Sequence, residues 1–237
     1  LDSGGGALTK NGLGSLTLTG PNAYVGATTI NAGKLTTTTA ATGAGSFNVA
    51  NGAGLGVRVA ADNAQLAAAS VGFAGTASQF DVDLSTFGSP GAAPLAIAGA
   101  LNVNGTVTVN ILASGALQIG VYPLISSGSR SGAGSFVLGT LPLNTTATLV
   151  DSGTTISLNI TDVNAPRWEG LAGGNWDIGL TTNWINGGSG LPTFFTEGSE
   201  ALFNDEALGT TSVNLVTTVH PTSVTFNNTN LSYTLSG

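Results

Sequence analysis

Short runs of alternating apolar and polar residues, separated by Gly and Asn, cover most of the chain and limit what it can fold into. Typical runs are SLTLTG (15–20), LNVNGTVTVNIL (101–112) and TISLNI (155–160). Because a period of two puts alternate side chains on opposite faces of a strand, each run predicts a β-strand with one buried face. Only AADNAQLAAAS (60–70) could form a turn or two of helix, and it equally suits an irregular segment. The sequence therefore predicts an all-β protein.

Two all-β architectures fit this pattern. A sandwich or barrel expects a tight hairpin about every 8–12 residues, and NGTVTV (104–109) is typical of a hairpin. A parallel β-helix or solenoid expects rungs of about 20 residues or more, with Asn and Gly at the corners. The recurrent strand-Asn-x-Gly-strand spacing favours the solenoid, with the hairpin architecture as the alternative.

The surface must be solvated almost without ions. Charged residues make up 7% of the 237 residues, against roughly 25% in ordinary globular domains. The formal net charge is −7 and the five Lys and Arg residues are scattered, so we expect no nucleic-acid partner and no polybasic membrane-surface site. The sequence contains no run of about 18 apolar residues, so we expect no insertion of this segment into a membrane as a helix. Such a composition is typical of secreted β-structure, in which Thr and Val fit the strands and Gly and Asn make the turns.

Few residues of the types that carry catalysis or bind metals are present. The chain has no Cys and one His, His220, so a Cys or His metal site is excluded, and we expect no cofactor. Asp81 and Asp83 lie at i and i+2 on one strand face, where paired carboxylates could perform acid–base chemistry or hold Ca²⁺. A second candidate for Ca²⁺ consists of Asp205 and Glu206, with Asp177 and Glu169 nearby in sequence. A solvated surface explains both pairs more simply, so we expect no enzyme, and a polysaccharide-cleaving activity is an alternative.

The composition changes at Pro166. The segment 167–195 contains all three Trp residues and many loop-like Gly residues, and short strands return after it. This change predicts two domains, a β-helix domain at 1–165 and a Trp-containing β module at 166–237 that leads into the next repeat or subunit.

The three Trp residues, Trp168, Trp176 and Trp184, recur at intervals of eight. If they were exposed, they would form a stacking platform for a sugar ring. If they were buried, they would form the core of a small module that is otherwise short of apolar residues. Trp is highly buried on average, so we favour the module core.

Residues 6–35, GALTKNGLGSLTLTGPNAYVGATTINAGKL, resemble the autotransporter passenger-associated β-strand repeat. The positions that carry the resemblance are Gly6, Leu8, Thr9, Lys10, Gly12, Gly14, Leu16, Leu18, Gly20, Asn22, Tyr24, Gly26, Thr28, Ile30, Gly33 and Leu35. The resemblance implies a right-handed parallel β-helix, a passenger-like first domain, and a location outside or on the surface of a Gram-negative bacterium. It implies no catalysis within the repeat itself.

The two ends of the sequence resemble one interrupted rung. SVTFNNTNLSYTLSG (223–237) reads like the strand that should run directly into LDSGGGALTKNGLG (1–14). A stack of parallel rungs leaves unpaired backbone groups at each end, and a bare end can pair with another chain. We therefore predict an extracellular structural protein, a repeat unit or subunit of a surface fibre or filament whose partner is another copy. The predicted assembly interface consists of Leu1, Leu8, Val224, Phe226, Tyr233 and Leu235.

An adhesin is the alternative function. In that case the chain would be a passenger whose exposed loops bind a surface glycan or a host surface. An accessible row of Trp or Tyr side chains would favour it.

Overall fold

A computed structural model of the chain describes residues 4–114, 117–142, 145–163, 165–187 and 190–237. These residues form strands, turns and bends, and they include no helix of any length. Consequently, the described chain offers no helix long and apolar enough to cross a membrane. The all-β prediction is confirmed, and the stretch 60–70 forms a turn and a short strand.

The strands are numbered in chain order. The first unit of the chain, defined below, contains most of β1 to β15: β1 (Leu8–Lys10), β2 (Ser15–Thr17), β3 (Thr28–Ile30), β4 (Lys34–Thr38), β5 (Phe47–Val49), β6 (Gly54–Arg58), β7 (Leu66–Ala68), β8 (Val71–Phe73), β9 (Ala77–Asp83), β10 (Leu95–Val103), β11 (Thr106–Leu112), β12 (Gly120–Ser131), β13 (Ser135–Leu138), β14 (Thr145–Asp151) and β15 (Thr155–Val163). The second contains β16 (Arg167–Trp168), β17 (Asn175–Trp176), β18 (Trp184–Ile185), β19 (Pro192–Thr193), β20 (Glu200–Asn204), β21 (Ser212–Leu215), β22 (Ser223–Asn227) and β23 (Thr234–Ser236).

The described residues divide into two compact units. The first contains those of Leu1–Ala113, Gln118–Pro142 and Ala147–Ile160, and the second those of Ser114–Leu117, Leu143–Thr146 and Thr161–Gly237. The boundary predicted between two independent domains, after residue 165, stays a prediction.

Two sheets build the first unit, and the early strands alternate between them along the chain. Their strand orders are β1-β3-β5-β8-β10-β12-β15-β14, with β7 also paired to β10, and β13-β11-β9-β6-β4-β2. Pairs from β1 to β12 in the first sheet, and all pairs in the second, are parallel, whereas β15 returns antiparallel to β12. The hairpin expected at NGTVTV does not form, because β10 and β11 belong to different sheets. This largely parallel arrangement is consistent with a β-solenoid.

The strand register gives the length of each rung. Leu8 lies opposite Thr28, and further partners in the same column are Phe47, Val71 and Leu101, so that successive partners are 20, 19, 24 and 30 residues apart. The early rungs therefore match the spacing of about 20 residues predicted for a solenoid. Later rungs are longer because they include additional residues between the paired strands.

In-register columns of apolar side chains form the core of the first unit. The column in the first sheet consists of Ile30, Val49, Phe73 and Val103. The column in the second sheet consists of Leu35, Leu55, Phe80 and Val109. Every side chain in both columns is 0% exposed. Burying each such side chain contributes roughly 1.5–3 kcal/mol. Each rung is thus stabilised mainly by the rungs on either side of it.

The second unit contains two shorter ladders around an aromatic core. Its sheets have the strand orders β19-β18-β16-β20-β22 and β17-β21-β23. The pairs β16–β20–β22 and β17–β21–β23 are parallel, and β18 and β19 add antiparallel strands to the first sheet. Buried aromatic side chains, described below, fill the space that these sheets enclose.

We predict that Gly33→Ala lowers the free energy of unfolding by more than about 2 kcal/mol in urea denaturation. Gly33 has φ +66°, and a Cβ there would collide with the carbonyl oxygen of Gly14. Gly72→Ala is the matched control, because its nearest contact, at 3.7 Å from Asn48 Oδ1, is an ordinary one. Equal stability of the two variants would contradict the assignment of Gly33 as a required corner.

Candidate functional site

The second unit ends on two strands that have a strand partner on one side only. β22 pairs with β20 and β23 pairs with β21. Within the described ranges, no further strand continues either ladder. We call residues 223–236 the C-terminal rung. Because the outer edge of an unpaired strand can accept another strand, this rung is a candidate docking surface.

The apolar side chains of β22 belong to the core face of the unit. Val224 lies opposite Ala201 and Phe226 lies opposite Phe203. Ala201 and Phe203 are 1% and 0% exposed, but Val224 and Phe226 are 42% and 48% exposed. Residues opposite one another in a ladder share a face of the sheet. Val224 and Phe226 are therefore inward-facing side chains that no further rung covers.

The same contrast occurs in β23. Leu235 lies opposite Val213, which is 1% exposed, whereas Leu235 itself is 42% exposed. The incomplete burial thus extends across both strands of the C-terminal rung.

Phe226 and Tyr233 continue the aromatic core to this surface. The Phe226 ring stacks on Phe203 at 4.8 Å between centroids and 13° between planes, and Tyr233 packs edge-on against Phe203 at 5.3 Å. The Tyr233 hydroxyl donates to the carbonyl oxygen of Asn204 at 2.7 Å. Partial burial, with a smaller contribution from nearby carboxylates, raises the pKa of Tyr233. The tyrosine is therefore a neutral part of the surface at physiological pH.

Asp205 holds the loop of the C-terminal rung in place. Its carboxylate accepts hydrogen bonds from the backbone N–H groups of Thr229, Asn230 and Leu231 at 2.7, 2.8 and 2.8 Å. These bonds, led by that from Leu231, lower the pKa of Asp205. The carboxylate considered as a Ca²⁺ ligand thus has a structural role in orienting residues 229–231.

The first unit begins on two strands of the same kind, which we call the N-terminal rung (residues 8–17). Leu8 lies opposite Thr28 and Leu16 opposite Leu35. Both partners are buried, whereas Leu8 and Leu16 are only partly buried. Leu1, also predicted for the interface, lies outside the described residues. The N-terminal rung therefore presents partly covered core positions as well.

Polar side chains fix the corner of the N-terminal rung. Lys10 is buried, and its Nζ donates to the carbonyl oxygens of Asn11, Gly12 and Ala32 at 3.0, 2.7 and 3.1 Å. The side chain of Asn31 donates to Asn11 Oδ1 at 2.8 Å. The ammonium thus satisfies three corner carbonyls, and the asparagine pair links the first two rungs.

The three tryptophans lie in the core of the second unit. Trp168, Trp176 and Trp184 are 0%, 1% and 1% exposed, and they pack with Phe195 and Phe203. Trp184 makes edge-on contacts at 5.2 Å with each of the other two indoles. In this packing no tryptophan face is open for stacking on a sugar ring.

Both carboxylates of the FDVDL strand are engaged in ion pairs. Lys34 Nζ lies 2.5 Å from Asp81 Oδ2, and Asn110 donates to Asp81 Oδ1 at 2.8 Å. Asp83 lies 3.2 Å from the guanidinium of Arg58. Arg58 and Asp83 lie directly opposite one another on adjacent strands, whereas Lys34 on β4 reaches Asp81 on β9 across the intervening strand β6, so the two ion pairs tie successive rungs together.

His220 lies in the loop before β22 and pairs with Glu197, with 2.5 Å between His220 Nδ1 and Glu197 Oε1. The hydrogen bond from His220 lowers the pKa of Glu197. Across the described ranges no three His, Cys, Asp or Glu side chains form a group that could hold a metal ion.

The predicted assembly interface did not include three residues that the structure places at these surfaces, Leu16, Asn11 and Asp205. Leu16 alternates with Leu18 in SLTLT, and Asn11 precedes Asn31 by 20 residues, which is the length of the first rung. Both signals were available in the sequence. The three backbone partners of Asp205 lie 24 to 26 residues away and follow no motif.

Residues 8–36 match the family described as passenger-associated-transport-repeat, and this match confirms the resemblance noted for residues 6–35. The matched segment contains the strands β1 to β3 and the first three residues of β4. Repeats of this family are typical of autotransporter passengers, which are secreted or surface proteins of Gram-negative bacteria. No curated protein and no solved structure matches the chain significantly. The chain is therefore a β-rich protein that carries a passenger-type repeat at the first rungs of its ladder.

We predict that Asp205→Asn speeds hydrogen exchange at the amides of residues 229–231. Because the native pKa of Asp205 is lowered, its carboxylate stabilises the loop above the unfolded-state pKa, about 3.9, and this contribution is lost as the pH falls through the native pKa. The difference between the original chain and the variant should therefore be full near neutral pH and shrink below about pH 4.

Asp62→Asn, at an exposed corner of the first unit, is the control and should leave exchange at residues 229–231 unchanged. A difference between Asp205→Asn and the original chain that persists undiminished at low pH would contradict the role of the ionised carboxylate.

Proposed function

We propose that the protein is an extracellular structural protein, a repeat unit or subunit of a surface fibre that assembles head to tail by stacking of terminal rungs. One observation carries the proposal: core-facing apolar side chains are left uncovered on both terminal rungs. At the C-terminal rung these are Val224, Phe226 and Leu235, and at the N-terminal rung Leu8 and Leu16. We further propose that the ladder is a right-handed parallel β-helix, as expected for passengers with this repeat.

Adding a rung from another copy would have two stabilising effects at each terminal rung. It would pair the free backbone edge and cover the inward apolar side chains. Because the three side chains are only about half exposed, covering them contributes roughly 2–4 kcal/mol, which is at or below the low end of the cost of about 4–15 kcal/mol for associating two molecules. Backbone pairing must therefore contribute as well, and we expect assembly to depend on protein concentration.

The contact between unlike ends is heterologous. After two copies bind, the pair still has one free end of each kind, so further copies can add, and the product is a ring or an open filament. We propose the filament, because a surface fibre is the use that a stack of repeats best serves.

The proposal includes no catalytic activity. Asp81 and Asp83, the carboxylates considered for sugar cleavage, face Lys34 and Arg58 and act in our proposal as cross-strand ties. We propose no metal or other cofactor, and we place the protein at or beyond the outer surface of a Gram-negative cell.

We predict that the purified chain forms filaments in electron micrographs, with a mass in solution that rises with concentration. Phe226→Asp should abolish both, because a carboxylate would have to be buried between rungs. Leu180→Asp is the matched control, because Leu180 is an exposed apolar side chain of the same unit at 79% exposure, and it should assemble normally.

Fluorescence of the three buried tryptophans reports whether the Phe226→Asp variant keeps its core. The original chain remaining monomeric at every concentration, or a folded Phe226→Asp variant that still polymerises, would refute the proposed assembly.

A trough on the outer face of the first sheet favours glycan binding as a second candidate function. The trough has a volume of about 450 Å³ and is lined by Asn48, Asn102 and Asn104, with Gly72 between the first two in register. No charged side chain lines it, and within the described residues the three side-chain amides have no hydrogen-bond partner. Unused amides on both walls suit a neutral ligand rich in hydroxyl groups.

For this second function we expect binding of neutral oligosaccharides on a glycan array. Gly72→Gln should reduce the binding at least about tenfold by filling the trough, because a Cβ at Gly72 meets only an ordinary contact. Ser135→Gln, on the other sheet, should bind like the original chain. An array without any bound glycan would refute the adhesin function at this trough.

A further inference from the structure

We infer that β1 of a second copy adds to β22 as a parallel strand in one register, with Val224 opposite Leu8, Phe226 opposite Lys10 and Asn227 opposite Asn11. This inference rests on the proposed head-to-tail assembly and specifies its contact. The partner is a second copy of this chain, and the contact joins the C-terminal rung of one copy to the N-terminal rung of the next.

The alternation of side chains restricts the register first. Val224 and Phe226 are the inward residues of β22, because Ala201 and Phe203 opposite them are buried. Leu8 is an inward residue of β1, because Thr28 opposite it is buried. A slip by one residue would turn an inward side chain outward, so only slips by even numbers of residues remain.

Apolar contact selects among the remaining registers. With Val224 opposite Leu8, both inward side chains of β22 are covered, since Lys10 then lies over Phe226. The Lys10 ammonium is held by corner carbonyls, so its aliphatic stem is the part that would lie on the ring. A slip by two residues in either direction would leave Val224 or Phe226 without a side chain above it from β1.

The asparagine ladder supports the same register. Asn31 already donates to Asn11 Oδ1 at 2.8 Å, across the first two rungs of the chain. In the inferred register, Asn227 of the preceding copy stands opposite Asn11 at the next step of this ladder. Asn227 is exposed and follows the inward residue Phe226, as Asn11 follows Lys10. The amide of Asn11 can then donate to Asn227 as Asn31 donates to Asn11.

Disulfide trapping tests the register directly, because the chain has no Cys. In the inferred contact, Thr9 of one copy lies opposite Thr225 of the other, and both side chains point outward. Neighbouring strands are about 4.8 Å apart, within the Cα separation that a disulfide spans. A slip by two residues would raise that separation to about 8 Å, beyond the reach of a disulfide.

The experiment compares two double variants under mild oxidation, Thr9→Cys with Thr225→Cys and Thr9→Cys with Asn227→Cys. The first should give a ladder of reducible oligomers, with at least about tenfold more cross-linked product than the second. Light scattering of the unmodified chain, measured in parallel, reports assembly independently of the cysteines.

The outcomes separate the register from the assembly itself. If the unmodified chain polymerises but the Asn227 pair cross-links as well as or better than the Thr225 pair, or neither pair cross-links, the register is wrong and the proposed assembly stands. If the unmodified chain does not associate at any concentration, both proposals fail.

Discussion

The parallel backbone ladder is the interaction on which the rest of this structure depends. Each rung obtains its hydrogen bonds and its apolar cover from the rung before and the rung after, so the ladder has no point at which it closes on itself. In the middle of the first unit this gives columns that are completely buried, such as that of Leu35, Leu55 and Phe80. At β1 in the first unit, and separately at β22 in the second unit, the same rule leaves one edge of the strand without a partner among the described residues. The terminal exposure of apolar side chains is therefore a direct consequence of the fold rather than a separate feature of the sequence.

A ladder of this kind can be built with very few charges because its polar groups are satisfied locally. Corner carbonyls accept from the ammonium of Lys10, and Asp205 accepts three backbone N–H groups. The ionic groups that remain on strands are used across rungs, as between Lys34 and Asp81. Thr and Asn are common at the remaining outward positions, and these uncharged side chains select weakly among binding partners. In the proposed assembly, specificity comes from the terminal rungs, where strand edges without a partner and inward apolar side chains coincide.

The sequence predicted the strands because their signal is local, and it predicted less of what depends on distant contacts. Alternation in runs such as SLTLT identifies the inward residue Leu16 from its neighbours alone. The antiparallel return of β15 onto β12 could not be seen in the same way, because parallel and antiparallel strands share one alternation. The hairpin suggested by Asn104 and Gly105 does not form for a related reason. A turn motif does not specify whether the next strand stays in the same sheet. At the candidate site, the sequence pattern predicts which side chains of the terminal strands face inward. It does not predict the hydrogen bonds of Asp205, because its partners at residues 229–231 come from another rung.

The direction of the ladder decides which ends can meet. A contact between two identical ends through a two-fold axis would place β22 antiparallel to its own copy, and that contact would not continue a parallel ladder. The chemistry of the ends agrees with this geometry. Two N-terminal rungs in contact would bring two Lys10 ammonium groups together, whereas a C-terminal rung offers the neutral ring of Phe226 at that position. In the proposed assembly, strand direction and charge thus both disfavour contacts between like ends and favour head-to-tail addition.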